Sequence, residues 1–183
     1  MTLVEPAFRR ITVAQGETRV SHDPDVVLTT VLGSCVAACF YDPVARIGGI
    51  NHYLLADGGA AADPASMQRY GVYAMEVLIN AMLAMGAMRH RLKARIFGGA
   101  MMRAGFRDFG GANIAFAREF LSSERIPLVG EDVGGHSARR VEFRAALGLA
   151  RCRSVVDAAA VAPVRTARPA IIAPASAGDV EFF

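Results

Sequence analysis

The chain has 183 residues, a formal charge of +3 and a 53% hydrophobic content, which suits one domain with a sizeable core and excludes a disordered chain. Nineteen of its twenty basic residues are arginine, scattered rather than clustered, so there is no stripe for nucleic acid. Three cysteines without framework spacing, no apolar leader in the first residues, and a longest uncharged run (26–41) too short to span a bilayer predict a soluble cytoplasmic protein without membrane insertion.

In chain order, residues 8–20 are strand material interrupted at Gln15-Gly16. His22-Asp23-Pro24-Asp25 is turn chemistry, and residues 26–30 and 36–41 are strand segments flanking Gly33. Asp42-Pro43 opens a turn before a further strand at 47–55, and 57–64 is a loop rich in Gly and Ala. The three- and four-residue spacing of Tyr70, Ala74, Val77, Leu78, Ala81 and Met85 predicts a helix over 66–85 with Gly86 as its C-cap. A short strand at 94–97 ends in Gly98-Gly99. A second helix over 112–123 has Ile114, Phe116, Ala117, Phe120 and Leu121 on its inner side. Strands at 126–129 and 140–144 are joined through Gly134-Gly135-His136-Ser137. Residues 1–149 are read as the domain, and the Ala-, Val- and Pro-rich residues 150–183 as a C-terminal extension of disordered character. Strand pairs interrupted by only two good helices predict an α+β fold rather than a doubly wound sheet. Neither G-x-G-x-x-G after a strand nor G-x-x-x-x-G-K-[ST] is present, so nucleotide binding has no support.

The hairpin around Asp42-Pro43 carries the chemical signal. A four-residue loop over 42–45 places Tyr41 opposite Arg46, and the same register places Cys35 opposite His52 on one sheet face. A free thiol, with a pKa of about 8.5, is only slightly ionised at neutral pH. An imidazole at hydrogen-bond distance takes its proton and later gives it to a departing amine. The ring needs a third group to hold it, and Thr29 or Thr30 is at hand. Thr29 shares the parity of Cys35, and Gly33 lets the backbone bend so that an N–H near Cys35 faces a substrate carbonyl.

Blander readings compete. A free cysteine is more often an inert core thiol, and a histidine between Ile50 and Leu54 a hydrogen-bonded core residue. Ser34 lacks a G-x-S-x-G setting. On an extended strand Cys35 and Cys39 stand ~13 Å apart, too far for a disulfide. Cys152, His136, His22 and His90 are read as incidental.

The chain resembles the CheD family, chemoreceptor glutamine deamidases of bacterial chemotaxis. The residues that carry the resemblance are Thr29-Thr30-Val31-Leu32-Gly33-Ser34-Cys35-Val36, Tyr41-Asp42-Pro43, Gly48-Gly49-Ile50-Asn51-His52-Tyr53, Phe97-Gly98-Gly99-Ala100, Asn113 and Glu131-Asp132-Val133-Gly134-Gly135. They run in order through residues 12–148. The resemblance implies a layered α/β sandwich of mostly antiparallel strands with two main helices, related to deamidating toxins. It implies Cys35 as nucleophile, His52 as general base and Thr29 as the residue that orients the ring, with no metal or organic cofactor. The implied reaction converts glutamines of methyl-accepting chemotaxis receptors to glutamate through a thioester, with methylesterase activity as an extension of the same chemistry. Receptor cytoplasmic domains are the implied partners, with a CheC-type phosphatase as a second. The rival readings are a non-catalytic adaptor that binds receptors or such a phosphatase, and a peptide-cleaving cysteine hydrolase.

Overall fold

In a computed structural model of the chain, residues 8–55, 63–102 and 108–155 are described. Among them, nine strands form two sheets and two α-helices cover one of the sheets. The first sheet has the order β1 (Arg9–Thr12), β3 (Val26–Leu32), β8 (Ala138–Arg144), β9 (Leu149–Val155). The second runs β2 (Thr18–Ser21), β5 (Ile47–Tyr53), β4 (Val36–Asp42), β6 (Lys93–Gly98), β7 (Leu128–Val133). The pairs β1–β3 and β6–β7 are parallel and the others antiparallel. This is the α+β fold that the element pattern predicts, in the layered sandwich of mostly antiparallel strands that the resemblance implies.

Two apolar layers hold it together. Between the sheets lie Val26, Leu28 and Leu32 of β3, Val141 and Phe143 of β8, and Ala37, Cys39 and Ile50 of the second sheet. On the other face of the second sheet, α1 (Pro64–Ala84) and α2 (Phe109–Ser123) pack through Met75, Leu78, Ile79, Met82, Ile114, Ala117 and Phe120. Each large side chain buried in this way contributes about 1.5–3 kcal/mol. Both helices start earlier than their apolar spacing suggests, because Asp63 and Asp108 cap them by accepting from the Ser66 and Gly111 amides. Pro64 fits the first turn of α1, where its missing N–H would have no partner. Gly86, with φ +107°, follows α1 and lets the Gly86 and Ala87 amides return to Leu83 and Met82.

Two expectations need correction. The folded domain extends past residue 149, since β9 pairs with β8 along its whole length. Ala150 and Cys152 pack against the core between the sheets while Arg151 and Arg153 face outward. That alternation, on an edge strand rich in arginine, reads as polar when taken without its partner. The 57–64 loop overlaps residues 56–62, which lie outside the described residues, as do residues 156–183.

The second correction is the hairpin register. Asp42 pairs with Ile47, Tyr41 with Gly48 and Ala37 with His52, so the loop is 43–46 and the register differs by two from the one expected. The cause is Asp42. Its carboxylate accepts from the Val44, Ala45 and Met88 amides and from Arg91 Nε, so it stays at the strand end instead of opening the turn. Arg46 closes the loop in the left-handed region at φ 56°.

Burial alone would raise the Asp42 carboxyl, but Arg91 and the three amides outweigh it and hold it well below the usual carboxylate range. Asp42→Ala strands these donors and is expected to cost about 3–5 kcal/mol in denaturant unfolding at neutral pH. Because the folded pKa is depressed, the stabilisation is full above the unfolded carboxyl value of about 4 and fades as pH falls below it. The stability difference between wild type and Asp42→Asn should therefore shrink in acid. A difference that stays constant from pH 7 to pH 3 would contradict this role.

Candidate active site

Cys35 occupies the junction where the chain leaves the first sheet at Leu32 and enters the second at Val36. Three successive carbonyls of this junction are tied down. Gly33 O accepts from the Ala100 amide at 2.9 Å and Cys35 O from the Gly99 amide at 2.8 Å. Ser34 O accepts from Asn113 Nδ2 at 2.8 Å. Asn113, almost fully buried on α2, also accepts the Leu55 amide and, through its backbone carbonyl, the Tyr53 hydroxyl. One side chain thus joins the junction to the end of β5. Gly98, with φ +101°, passes so close to Cys35 O that a Cβ there would collide with it.

His52 lies on β5, whose neighbouring residues point to opposite faces. Asn51 turns toward α1, donating to Ala74 O. His52 turns toward the first sheet, where Thr30 Oγ1 lies 2.9 Å from its Nδ1. The two-residue change of register preserves the face, so Cys35 and His52 both belong to the space between the sheets. The sequence expectation placed them directly opposite on paired strands. In the structure His52 faces Ala37, and Cys35 precedes the first paired residue of β4.

The tautomer of His52 follows from hydrogen bonding. Thr30 has one hydroxyl proton and donates it to Val13 O at 2.7 Å. Its oxygen can then only accept from the ring, so Nδ1 carries the proton and Nε2 is the basic nitrogen. Val13 is itself fixed, since its amide donates to Thr29 O at 2.8 Å.

Thr29, the residue expected to orient the ring, faces the other way. It pairs with Thr12 and Glu142 and is half-buried, whereas Thr30 is 3% exposed and holds the imidazole. Counting parity back from Cys35 to Thr29 fails because the bend at Gly33-Ser34 takes the chain from one sheet to the other. Within β3 the most deeply buried residues are Val26, Leu28, Thr30 and Leu32, with Val27 slightly more exposed, a period-two pattern masked in the sequence by the equally apolar Val27 and Val31.

One neighbour of the thiol was missed altogether. Cys35 Sγ donates to Gln15 Oε1 at 3.2 Å. Gln15 stands at the exposed tip of the turn between β1 and β2, where the Glu17 amide returns to Ala14 O and Gly16 takes φ +83°. This turn is bonded to both backbone groups of His52: Gly16 N donates to His52 O at 2.7 Å, and His52 N to Glu17 O at 3.1 Å. The only sequence signal was Gln15-Gly16 as a strand break.

The remaining candidates fall away from this cluster. None of the three cysteines is in a disulfide. Cys39 is 0% exposed, and burial pushes its thiol far above the ordinary value. Cys152, on β9, is pushed up to about 12 by burial and then by Asp132. Both are poor nucleophiles at neutral pH. His22, His90 and His136 are exposed. Among the described residues no helix is long and apolar enough to cross a membrane.

The chain as a whole is similar to known proteins. The family model described as CheD chemotactic sensory transduction matches residues 54–154. A probable chemoreceptor glutamine deamidase CheD from Zymomonas mobilis is 59% identical, covering 96% of this chain and 93% of its own. Proteins with the same description from Caulobacter vibrioides and Rhizobium meliloti are 50% and 48% identical, each covering at least 93% of both chains. Among solved structures, the hypothetical protein YfiH of Bacillus licheniformis aligns over 63% of this chain and 49% of its own, at 16% identity and a TM-score of 0.43.

Proposed function

This chain belongs to the CheD family, and on that premise we propose that it is a protein-glutamine deamidase acting on the cytoplasmic domains of chemotaxis receptors, with Cys35 as nucleophile, His52 as general base and Thr30, rather than Thr29, as the residue that orients the base. The observation that carries the assignment of roles is the Val13–Thr30–His52 hydrogen-bond chain, which makes Nε2 the basic nitrogen, on the same inter-sheet side as the pinned Cys35 junction.

The chemistry runs in two halves. The Cys35 proton passes to His52 Nε2, and the thiolate attacks the side-chain amide carbon of a receptor glutamine. The carbonyl π pair moves onto oxygen. As it returns, the C–N bond breaks and the nitrogen takes the proton from His52, so ammonia leaves and a γ-glutamyl thioester remains. Water then gives a proton to His52 and attacks the thioester; the C–S bond breaks, releasing glutamate and the thiolate. Thr30 keeps the ring in one tautomer and one orientation through both halves. The same thioester forms from a glutamyl methyl ester, with methanol as leaving group, so methylesterase activity is part of this reading. The deamidase domain extends through Val155, and a CheC-type phosphatase is proposed as a further partner on the family resemblance alone.

The test is ammonia release from receptor cytoplasmic domains mixed with the purified chain. Ammonia in step with new glutamate, in an uncleaved receptor, supports the deamidase. Receptor binding without ammonia identifies an adaptor, and receptor fragments identify a peptidase.

A further inference from the structure

The roles proposed for Cys35 and His52 leave open what receives the negative charge that builds on the substrate oxygen during attack. The backbone carbonyls of residues 33–35 are acceptors already bonded to partners of their own and offer an anion nothing, so a backbone N–H near Cys35 is the main-chain donor, and a side-chain donor would share the charge with it. A polar side chain placed against the nucleophile itself is that of Gln15, whose carboxamide is in hydrogen-bond contact with Cys35 Sγ. We propose that Gln15 is a further catalytic residue, whose amide N–H groups stabilise first the Cys35 thiolate and then the oxyanion of the tetrahedral intermediate. This deepens the deamidase reading and rests on Cys35 being its nucleophile.

A carboxamide has two chemically different ends. One end accepts hydrogen bonds and the other donates two. In the resting state the thiol has a proton and gives it to Gln15 Oε1. Once that proton has moved to His52, the sulfur is an anion with nothing to donate, and a carbonyl oxygen against it is repulsive. A half-turn of the terminal amide brings Nε2–H onto the sulfur instead. That torsion is broad and two-fold, and the exposed position of Gln15 leaves it room to turn. As the S–C bond forms, the charge passes from sulfur to the carbonyl oxygen beside it, within reach of the same donor.

The backbone beneath Gln15 is fixed although its tip is exposed. The Ala14 amide donates to Glu17 Oε2 and the Glu17 amide to Ala14 O, both at 3.0 Å. The flanking Gly16 and Glu17 bond to the two backbone groups of His52. The turn thus sets the amide and the general base in one frame, so that donor and base approach Cys35 together.

Three variants test this, assayed by steady-state ammonia release from receptor cytoplasmic domains, with the thermal transition as a check of folding. Gln15→Ala is expected to lower kcat by about 10²–10³-fold, with KM within about two-fold of wild type. Gln15→Glu keeps the length and the acceptor oxygen but removes the donors, and should lose at least as much. Gln15→Asn keeps the donors on a shorter arm and should recover part of the loss. A kcat within about three-fold of wild type in Gln15→Ala would overturn the proposal. Full activity in Gln15→Glu would also overturn it, since an acceptor alone would then suffice. Cys35→Ala in the same assay separates the two readings. If it is inactive while Gln15→Ala is unimpaired, only the role of Gln15 fails. If it is active, the nucleophile assignment fails and the role of Gln15 with it.

Discussion

Cys35→Ala is expected to give a folded protein whose deamidation rate has fallen by roughly 10⁴-fold or more. The change removes one sulfur atom and leaves the backbone bonds to residues 33–35 intact, since these use carbonyl oxygens and not the side chain. The thiol lies at the rim of the inter-sheet core and is 8% exposed, so the packing loss is small beside the chemical one. Without sulfur no thioester forms, and the imidazole is left to activate water against an unactivated amide. Cys39→Ala and Cys152→Ala are the controls. Both thiols are held protonated by burial, and both variants should keep the wild-type rate per folded molecule. Loss of activity in either, with Cys35→Ala active, would move the nucleophile elsewhere.

The second large effect belongs to His52 and to the threonine behind it. His52→Ala should lower the rate by about 10²–10⁴-fold, the usual contribution of a positioned acid–base group. Thr30→Val removes the oxygen that accepts from Nδ1 and leaves Val13 O without the Thr30 donor. The ring then keeps only the longer contact of Nδ1 with Val13 O at 3.4 Å, so its orientation loosens, and misplacement on this scale costs about 10²-fold. Thr30→Ser restores the hydroxyl and should restore most of the rate. Thr29→Val should have little effect, because Thr29 lies on the opposite face of β3. A deamidation rate that drops with Thr29→Val and not with Thr30→Val would contradict the geometry.

How far all this could be read without coordinates depends on the residue. The strands around Gly33, the two helices and the hairpin at Asp42-Pro43 follow from local rules of periodicity and turn chemistry. The shared face of Cys35 and His52 was legible because parity survives a two-residue change of register. The register itself was not, because it depends on Arg91, 49 positions from Asp42, which keeps Asp42 in the strand. The choice between Thr29 and Thr30 required knowing that the chain crosses between sheets at Gly33-Ser34, and parity carries no information across such a crossing. Gln15 was out of reach for the same reason: it lies 20 positions from Cys35, and only the pairing of β1 with β3 and of β2 with β5 brings its turn over the thiol. Asn113 could be recognised as a family position, but its task of joining the Cys35 junction to β5 exists only in three dimensions.

The most direct measurement is peptide mass mapping of receptor cytoplasmic domains after incubation with the wild-type chain and with Cys35→Ala. Particular receptor glutamines should become glutamates with the wild-type chain, the receptor backbone should stay whole, and these changes should vanish with the folded Cys35→Ala protein. Receptor glutamines converted equally by both proteins would contradict the nucleophile assignment.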